Sequence, residues 1–327
     1  MKETKLSTTG IQASRIGLGT WAIGGWMWGG SEEEPAIATV QRALETGITL
    51  IDTAPVYGFG KSEELIGRAL QNTARESFVL ATKTGIEWDD DGNVFRNASK
   101  DRIRREIEDS LQRLGLEYID VYQVHWPDPN VPIEATAEAM RELYDEGLIR
   151  AVGVSNFSID QMNRFMEQSP LHTCQPPYNL FEREIENGLK PFCERNGIAL
   201  ITYGALCRGL LTGKLDENSS FEGDDLRNVD PKFQQPRYSQ YLQAVERFTD
   251  LAAQYDRSTL QLAVNWILQQ GVQVALWGAR KPSQLDQVGA AVDWSISPED
   301  MQEIEKILKE EISSPIGPDF MAPPSRD

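Results

Sequence analysis

The sequence predicts an α/β fold, a single-domain (β/α)8 TIM barrel over residues 1–327, and three observations support it. Eight short apolar segments alternate with segments that have the spacing of amphipathic helices, which implies a parallel sheet. No linker or change of composition divides the 327 residues, and eight β/α units are the number that closes a barrel. An open doubly wound sheet is the alternative, but its glycine-rich fingerprint lacks the third glycine after Gly17 and Gly19.

The eight predicted strands are short runs of β-branched and aliphatic residues. They span residues 16–21, 48–51, 78–83, 118–124, 149–154, 173–175, 198–203 and 272–276. Helices are predicted between them because apolar side chains recur at helical spacing, as at Ile103, Ile107 and Leu111. These helices span residues 62–70, 99–114, 133–145, 239–254 and 259–270, and one more ends at Asn196. Capping boxes at residues 31–34 and 158–161 predict two further helix starts.

Several segments are expected outside the barrel. The first dozen residues could form a β-hairpin. A polar stretch over residues 215–237 is long for a loop in a compact domain, and such loops often serve as lids. Its acidic run, residues 222–225, can equally be a solvated loop. Extra C-terminal helices are predicted after residues 278–282 and over residues 298–308, before a proline-rich tail.

Composition limits the kind of partner. Lys and Arg number 32 against 50 Asp and Glu, which gives a formal net charge of −18. Such a surface argues against binding nucleic acid or an anionic membrane through bulk charge. The three cysteines, Cys174, Cys193 and Cys207, match neither a disulfide framework nor a zinc ribbon. With no signal peptide and no apolar run long enough for a membrane span, we expect a cytoplasmic protein.

Four chemically active side chains follow three consecutive predicted strands. Asp52 ends the second strand, Tyr57 lies on the loop behind it, Lys83 ends the third and His125 follows the fourth. Each has a simpler interpretation: a turn residue, a packed aromatic, a solvated cation and a core histidine. Because the carboxyl ends of barrel strands meet at one end of the barrel, however, we expect these side chains to converge.

These residue types favour proton donation to an oxygen that gains negative charge. A Lys83 ammonium beside Tyr57 would favour the phenolate and lower the tyrosine pKa, and Asp52 would hold that ammonium in place. Tyr57 could then act as a general acid, with His125 orienting the same oxygen. The sequence shows no nucleophile elbow, and its two histidines without an acidic cluster make a metal site unexpected.

Several motifs resemble those of the aldo-keto reductases. They are residues 51–58 (IDTAPVYG), Lys83, residues 123–128 (QVHWPD), residues 153–157 (GVSNF) and residues 276–282 (LWGARKP). The resemblance runs from about residue 17 to 290 and is strongest to the bacterial branch that includes the general stress reductases. It implies NADPH-dependent reduction of aldehydes and ketones, with Asp52, Tyr57, Lys83 and His125 as the catalytic set.

The resemblance also implies how the cofactor, NADP(H), is held. Ser155, Asn156 and Gln175 would bind the nicotinamide carboxamide, and Tyr203 would stack on its ring. Gly204, Leu206 and Arg208 would lie at the pyrophosphate, and Arg280 and Lys281, expected at a helix start, would bind the adenosine 2′-phosphate. Gly278 and Gln284 belong to the same cofactor-binding segment. Residues 215–237 would close over the cofactor. Four positions depart from the common pattern: Gly204 lacks the usual hydroxyl, Gln284 replaces a frequent arginine, and Gln287 and Val288 replace a frequent Glu-Asn pair at the adenine. Arg208 and Arg280 could equally be solvated.

The substrate is the least determined part of the prediction. The tryptophans Trp21, Trp26, Trp88 and Trp126 lie on or near loops that follow strands, and aromatic walls suit small apolar carbonyl compounds. We expect a monomer. A second interpretation is a cofactor-binding regulatory subunit similar to the potassium-channel β subunits. A barrel hydrolase is a third, although it would need a carboxylate pair or metal cluster that the strand ends do not offer.

Overall fold

A closed barrel of parallel strands forms the centre of the molecule, as predicted. The computed structural model describes residues 1–326, so Asp327, the last residue of the predicted domain, lies outside the described residues. In the barrel, spatial order follows chain order, and the first and last strands pair to close it. Including two hairpins, the strands are β1 (Glu3–Lys5), β2 (Gln12–Ser14), β3 (Ile16–Gly19), β4 (Leu50–Asp52), β5 (Val79–Thr84), β6 (Ile86–Trp88), β7 (Val94–Arg96), β8 (Val121–Val124), β9 (Val152–Ser155), β10 (Thr173–Gln175), β11 (Ala199–Thr202) and β12 (Val274–Gly278).

Helices surround the barrel where the sequence predicted them, except that a first short helix, Trp21–Gly24, lies in a segment without a helix prediction. They are α1 (Trp21–Gly24), α2 (Glu33–Glu45), α3 (Lys61–Leu70), α4 (Lys100–Leu114), α5 (Ile133–Asp145), α6 (Ile159–Met166), α7 (Leu189–Asn196), α8 (Arg237–Ala253), α9 (Thr259–Gln269) and α10 (Pro298–Glu311). Helix α4 shows why they form. The Ser99 hydroxyl accepts the Arg102 N–H, Ile103 and Ile107 are buried on one face, and Gly115 ends the helix in a left-handed conformation.

Two local predictions were wrong. The capping box at residues 31–34 does not form, because the Ser31 hydroxyl donates to the Ile23 carbonyl instead of capping α2. The stretch after β12 gives only short 3-10 turns, Pro282–Leu285 and Val288–Ala291, in place of the predicted helix. The Gln284 carbonyl, which an α-helix would need, accepts the Trp277 indole N–H at 3.1 Å. The capping box at residues 158–161 is confirmed.

The two ends of the barrel have different roles. At the amino ends of the strands, the predicted N-terminal hairpin β1–β2 places Leu6 and Ile11 against the first residues of β4 and β5. This apolar plug closes one end. The carboxyl ends carry instead a second hairpin, β6–β7, which the sequence analysis missed although Asp91-Gly92 is a turn signal.

Two long segments cross the open end of the barrel. Residues 213–236, here called the strap, connect the turn after β11 to α8 and contain two 3-10 turns. The C-terminal tail runs beside β7, where the Arg96 N–H donates to the Pro324 carbonyl at 2.9 Å. No helix within residues 1–326 combines the length and apolar character needed to cross a membrane.

Candidate active site

A buried ion pair lies inside the barrel at the ends of β4 and β5. The Lys83 ammonium donates to Asp52 Oδ1 at 2.7 Å, to the Thr53 carbonyl at 2.8 Å and to Tyr57 Oη at 3.4 Å. Burial lowers the pKa of Lys83, and the Asp52 carboxylate opposes that change. Since an ammonium has three N–H donors, these three acceptors use all of them. The predicted convergence of Asp52, Tyr57 and Lys83 is therefore present.

Tyr57 is positioned by close backbone packing. A Cβ built on Gly24 would lie 2.4 Å from the Tyr57 carbonyl carbon and oxygen, so only glycine allows α1 to approach the tyrosine loop. Gly58 has a φ of 70° and lies equally close to Gly24. The Tyr57 ring stacks on Trp21 with a centroid distance of 5.8 Å and an interplanar angle of 19°. These contacts fix where the phenol oxygen lies.

The predicted lowering of the Tyr57 pKa was wrong. Burial raises the pKa of Tyr57 well above its ordinary value, and the negative charge of Asp52 raises it further. The expected lowering follows from the Lys83 charge alone, whereas the loss of water around the buried phenol raises the pKa. Tyr57 therefore keeps its proton at physiological pH. Because Tyr57 Oη accepts from Lys83, its own O–H is free to donate elsewhere.

His125 faces Tyr57 from the end of β8. The two rings meet edge to face with centroids 5.8 Å apart. Burial lowers the pKa of His125 well below its ordinary value, and the Lys83 charge adds to this. The imidazole is therefore neutral at pH 7 and has one N–H to donate, not two. All four predicted catalytic side chains thus lie together at one end of the barrel.

A chain of hydrogen bonds continues from Asp52 around the barrel. The Gln175 side-chain Nε2 donates to Asp52 Oδ2 at 2.7 Å, and the Ser155 hydroxyl donates to the Gln175 backbone carbonyl at 2.7 Å. Asn156, held at a φ of 61°, donates to Ser155 Oγ at 3.0 Å and accepts the Tyr203 O–H at 2.9 Å. The residues predicted to bind the nicotinamide therefore lie together, and Gln175 also fixes the Asp52 carboxylate.

An open cleft lies above these groups. Trp21, Trp26 and Trp126 line it, as predicted. Trp88 does not: it packs on Phe59, with ring centroids 5.6 Å apart, and Phe59 in turn packs on Trp26. The apolar lining that the sequence analysis missed consists of Met27, Val56, Ile86, Val94, Met321 and Pro323. The β6–β7 turn signal could have found Ile86 and Val94, whereas no local pattern marks the tail residues.

Arg208 is held inside the protein by carboxylates. Its Nε donates to Asp230 Oδ2 at 2.6 Å and its Nη2 to Glu182 Oε1 at 2.5 Å. Lys232 joins Glu182 at 2.8 Å, so two cations and two carboxylates balance in a buried cluster. Arg208 is therefore not solvated. The phosphate role predicted for its side chain stays untested, and its guanidinium is engaged by these protein partners.

The other predicted cofactor positions lie at the ends of β11 and β12. Gly204 has a φ of 72°, and its carbonyl accepts from Asn179 at 2.9 Å. Gly278 is exposed, and a Cβ built on it would meet nothing within 4 Å. Arg280 donates to the Trp28 carbonyl at 2.8 Å, and Gln284 Oε1 accepts the Arg280 N–H at 2.8 Å.

These groups fit a nicotinamide dinucleotide. Ser155, Asn156 and Gln175 bring a hydroxyl and two amides to the cleft that Tyr57 faces, which are the donors and acceptors that a carboxamide needs. The Tyr203 ring lines the same cleft, and the open backbone at Gly278 lies on the neighbouring strand end. Leu206 is half-buried in the turn after Gly204. Within residues 1–326, no group of three or more His, Cys, Asp or Glu side chains could hold a metal ion.

The fold and this site define an oxidoreductase barrel, and the chain belongs to the aldo/keto reductase family, whose model matches residues 15–309. The aldo-keto reductase YhdN of Bacillus subtilis (strain 168) is 57% identical over 330 residues, covering 100% of this chain and 99% of that protein. The NADH-specific methylglyoxal reductase of Escherichia coli (strain K12) is 38% identical, covering 94% and 100%. The glycerol dehydrogenase AKR11B4 from Gluconobacter oxydans has a similar structure, with a TM-score of 0.89, 47% identity and coverage of 98% and 99%. These matches confirm the predicted family.

Proposed function

We propose that this protein reduces aldehydes and ketones to alcohols with NADPH, with Tyr57 as the general acid. One observation carries the proposal: the Tyr57 oxygen accepts from Lys83, which leaves the tyrosine O–H free at the open cleft. A general acid must hold its proton until an oxygen nearby gains charge, and the raised pKa of Tyr57 supports that. Family members use nicotinamide cofactors, which supports hydride transfer as the accompanying step.

The catalytic residues have distinct roles in this mechanism. NADPH, when bound, supplies the hydride. Tyr57 gives its proton to the carbonyl oxygen as negative charge develops there, and the adjacent Lys83 ammonium stabilises the phenolate that remains. Asp52 holds the ammonium in position and is itself held by Gln175. Neutral His125 donates one hydrogen bond to the same substrate oxygen and orients it.

The polar chain from Gln175 to Tyr203 would hold the nicotinamide. In this proposal Ser155 and Asn156 bind its carboxamide and the Tyr203 ring packs on its face. Gly204 and Leu206 would bind the pyrophosphate through backbone groups, because Arg208 is engaged by protein carboxylates. The open backbone at Gly278 would admit the adenosine end.

The preference for NADPH rests on Arg280 and Lys281, two cations beyond the end of β12. A cation pair suits the adenosine 2′-phosphate. Gln284 would act there through the two N–H groups that it orders, those of Arg280 and Lys281. The Escherichia coli relative is NADH-specific, so both cofactors need to be compared directly. We further propose a cytoplasmic, monomeric, single-domain enzyme.

Tyr57→Phe tests the general acid. The variant keeps the ring that stacks on Trp21 and removes only the donor. The rate of NADPH oxidation, followed by absorbance with methylglyoxal and a panel of larger aldehydes, should fall by roughly 10²- to 10⁴-fold. This is the usual contribution of a general acid. The NADPH dissociation constant, followed by fluorescence, should change by less than about threefold, because the phenol is not assigned to the cofactor. Undiminished turnover would assign the proton to another group.

The same NADPH oxidation assay distinguishes an enzyme from the alternative, a cofactor-binding regulatory subunit. An enzyme oxidises many equivalents of NADPH, whereas a regulatory subunit with slow chemistry would oxidise one equivalent and then stop. A protein that binds neither NADPH nor NADH would contradict the proposed function altogether.

A further inference from the structure

One carboxylate of the strap is bound to the loop that forms a wall of the cleft. Asp224 Oδ2 accepts the Met27 N–H at 2.7 Å, and its Oδ1 accepts the Gly29 N–H at 3.0 Å. The Leu226 N–H, also in the strap, donates a hydrogen bond to the Met27 carbonyl at 3.0 Å. Asp224 is therefore not a free carboxylate of a solvated acidic run. It clamps residues 25–30, here called the wall loop.

The wall loop has a conformation that needs such a clamp. Gly25, Met27, Gly29 and Gly30 all have positive φ, from 62° to 86°. Met27 bears a side chain, and the left-handed region disfavours such a residue by about 1 kcal/mol or more. Backbone N–H groups in such a run point toward one side and attract an anion. Asp224 supplies that anion from the strap.

The other end of the strap is fixed by buried charges. Asp230 is bound to Arg208, and Lys232 to Glu182, and all four side chains are buried. Asp224, by contrast, is exposed. The strap is thus anchored to the turn after β11. It reaches the wall loop through the exposed Asp224 carboxylate, one backbone bond from Leu226 and the Arg227 guanidinium, which lies 5.5 Å from the centre of the Trp28 ring.

The position of the wall loop sets the shape of the cleft. Trp26 and Met27 line the cleft directly. Trp28 packs edge-on against Trp21 with centroids 5.8 Å apart, and Trp21 stacks on Tyr57. A shift of the wall loop would therefore change the apolar wall, whereas Tyr57 stays fixed by the packing of its backbone against Gly24.

We propose that Asp224 is a specificity-determining positioning residue, which holds the wall loop against the cleft so that bulky carbonyl compounds are packed beside Tyr57. The proposal rests on the proposed reductase function. Asp224 is assigned no contact with the substrate: it acts through the N–H groups of Met27 and Gly29. The strap, which is expected to cover the cofactor, thereby also shapes the substrate pocket.

The test compares Asp224→Ala with Glu222→Ala, a matched control that removes an exposed carboxylate two residues away. Glu222 has no side-chain hydrogen bond or ion pair among the described contacts, and only its backbone carbonyl is bonded.

Steady-state kinetics at saturating NADPH would use methylglyoxal as a small substrate and benzaldehyde as a bulky one. In Asp224→Ala the KM for benzaldehyde should rise about tenfold, as expected from the loss of hydrogen bonds to a charged group. The KM for methylglyoxal should rise less than about threefold, with kcat for both nearly unchanged, because the catalytic groups stay in place.

Benzaldehyde binding to the NADP⁺-loaded protein, followed by tryptophan fluorescence, gives a readout without turnover. Weaker binding by Asp224→Ala alone would support the clamp, even in a wild type that does not turn over, in which case only the proposed function fails. A merely structural role of the strap predicts another result: a higher NADPH dissociation constant with unchanged benzaldehyde KM and binding. That result, or an equal effect of Glu222→Ala, would overturn the proposal.

Discussion

Lys83 and Arg208 are both buried cations held by carboxylates, yet their surroundings differ in one respect. Lys83 shares its cluster with Asp52 and with Tyr57, whose O–H is left free at an open cleft. Arg208 and Lys232 face Glu182 and Asp230, where two positive charges balance two negative ones. The first cluster keeps a proton available to a ligand, and the second satisfies its charges internally.

In the proposed function, this difference separates a cluster that acts on a substrate from a cluster that only stabilises the fold. A buried cation whose donors are all taken by carboxylates contributes to folding and register, since removing one partner would leave an uncompensated charge. A cluster that ends in a group with a free donor can act on a substrate. The number of buried charges therefore says little about function. In the proposed function, the decisive feature is a donor, the Tyr57 O–H, that no protein group engages.

Lys83→Met should show the largest effect. Without the ammonium, Tyr57 loses the charge that stabilises its phenolate, so we expect kcat to fall by roughly 10³-fold or more. The variant should also lose about 3–5 kcal/mol of unfolding free energy, because Asp52 is left buried without its partner. Turnover with NADPH and denaturant unfolding measure the two effects.

A double variant controls for the loss of stability. Asp52→Asn combined with Lys83→Met removes both charges and should regain much of the unfolding free energy while kcat stays low. Recovery of turnover in the double variant would contradict the catalytic role of this cluster.

The residues that the sequence predicted best are those placed by a single strand. Asp52, Lys83 and His125 each follow a buried apolar run, and the barrel geometry alone brings such strand ends together. The fold follows from the same local patterns, including the eight barrel strands. The relevant information lies within a few residues of each position.

Residues that depend on distant partners could not be placed in this way. Arg208 meets Glu182 and Asp230, which lie 26 and 22 residues away without a shared pattern. Met321 and Pro323 reach the cleft because Arg96 Nε donates to the Pro323 carbonyl at 2.7 Å, across 227 residues of chain. The prediction of a lowered Tyr57 pKa was wrong for a related reason, because burial is a property of the whole fold.

Arg208→Met should show a smaller effect on turnover and a clear effect on stability. Glu182 and Asp230 would remain buried with only Lys232 beside them, so we expect a loss of about 3–5 kcal/mol of unfolding free energy. Turnover per folded molecule should fall less than tenfold, because no catalytic atom contacts this cluster. Denaturant unfolding and kcat measurements on the same preparation check both.

The opposite outcome would restore the role predicted from the sequence. If Arg208→Met kept its stability but bound NADPH at least tenfold more weakly, with an effect that grew at low salt, the guanidinium would be a phosphate ligand. The NADPH dissociation constant at two ionic strengths distinguishes the two roles.

The smallest expected effect is the acid dependence of stability at Glu182, in the cluster around Arg208. Burial opposes ionisation of Glu182, but the charges of Arg208 and Lys232 outweigh it and lower its pKa to about 2. A carboxyl whose pKa is lowered on folding stabilises the native state above its ordinary pKa, and loses that contribution as the pH falls. The stability advantage of the wild type over Glu182→Gln should therefore be constant from pH 7 to about 5. It should then shrink by at most about 1.4 kcal/mol for each further pH unit toward 2, because the unfolded chain takes up the proton first. Denaturant unfolding of both proteins at pH 7, 5, 4 and 3 measures it, and an advantage that persists unchanged at pH 3 would mean that the carboxylate is not stabilised by its cations.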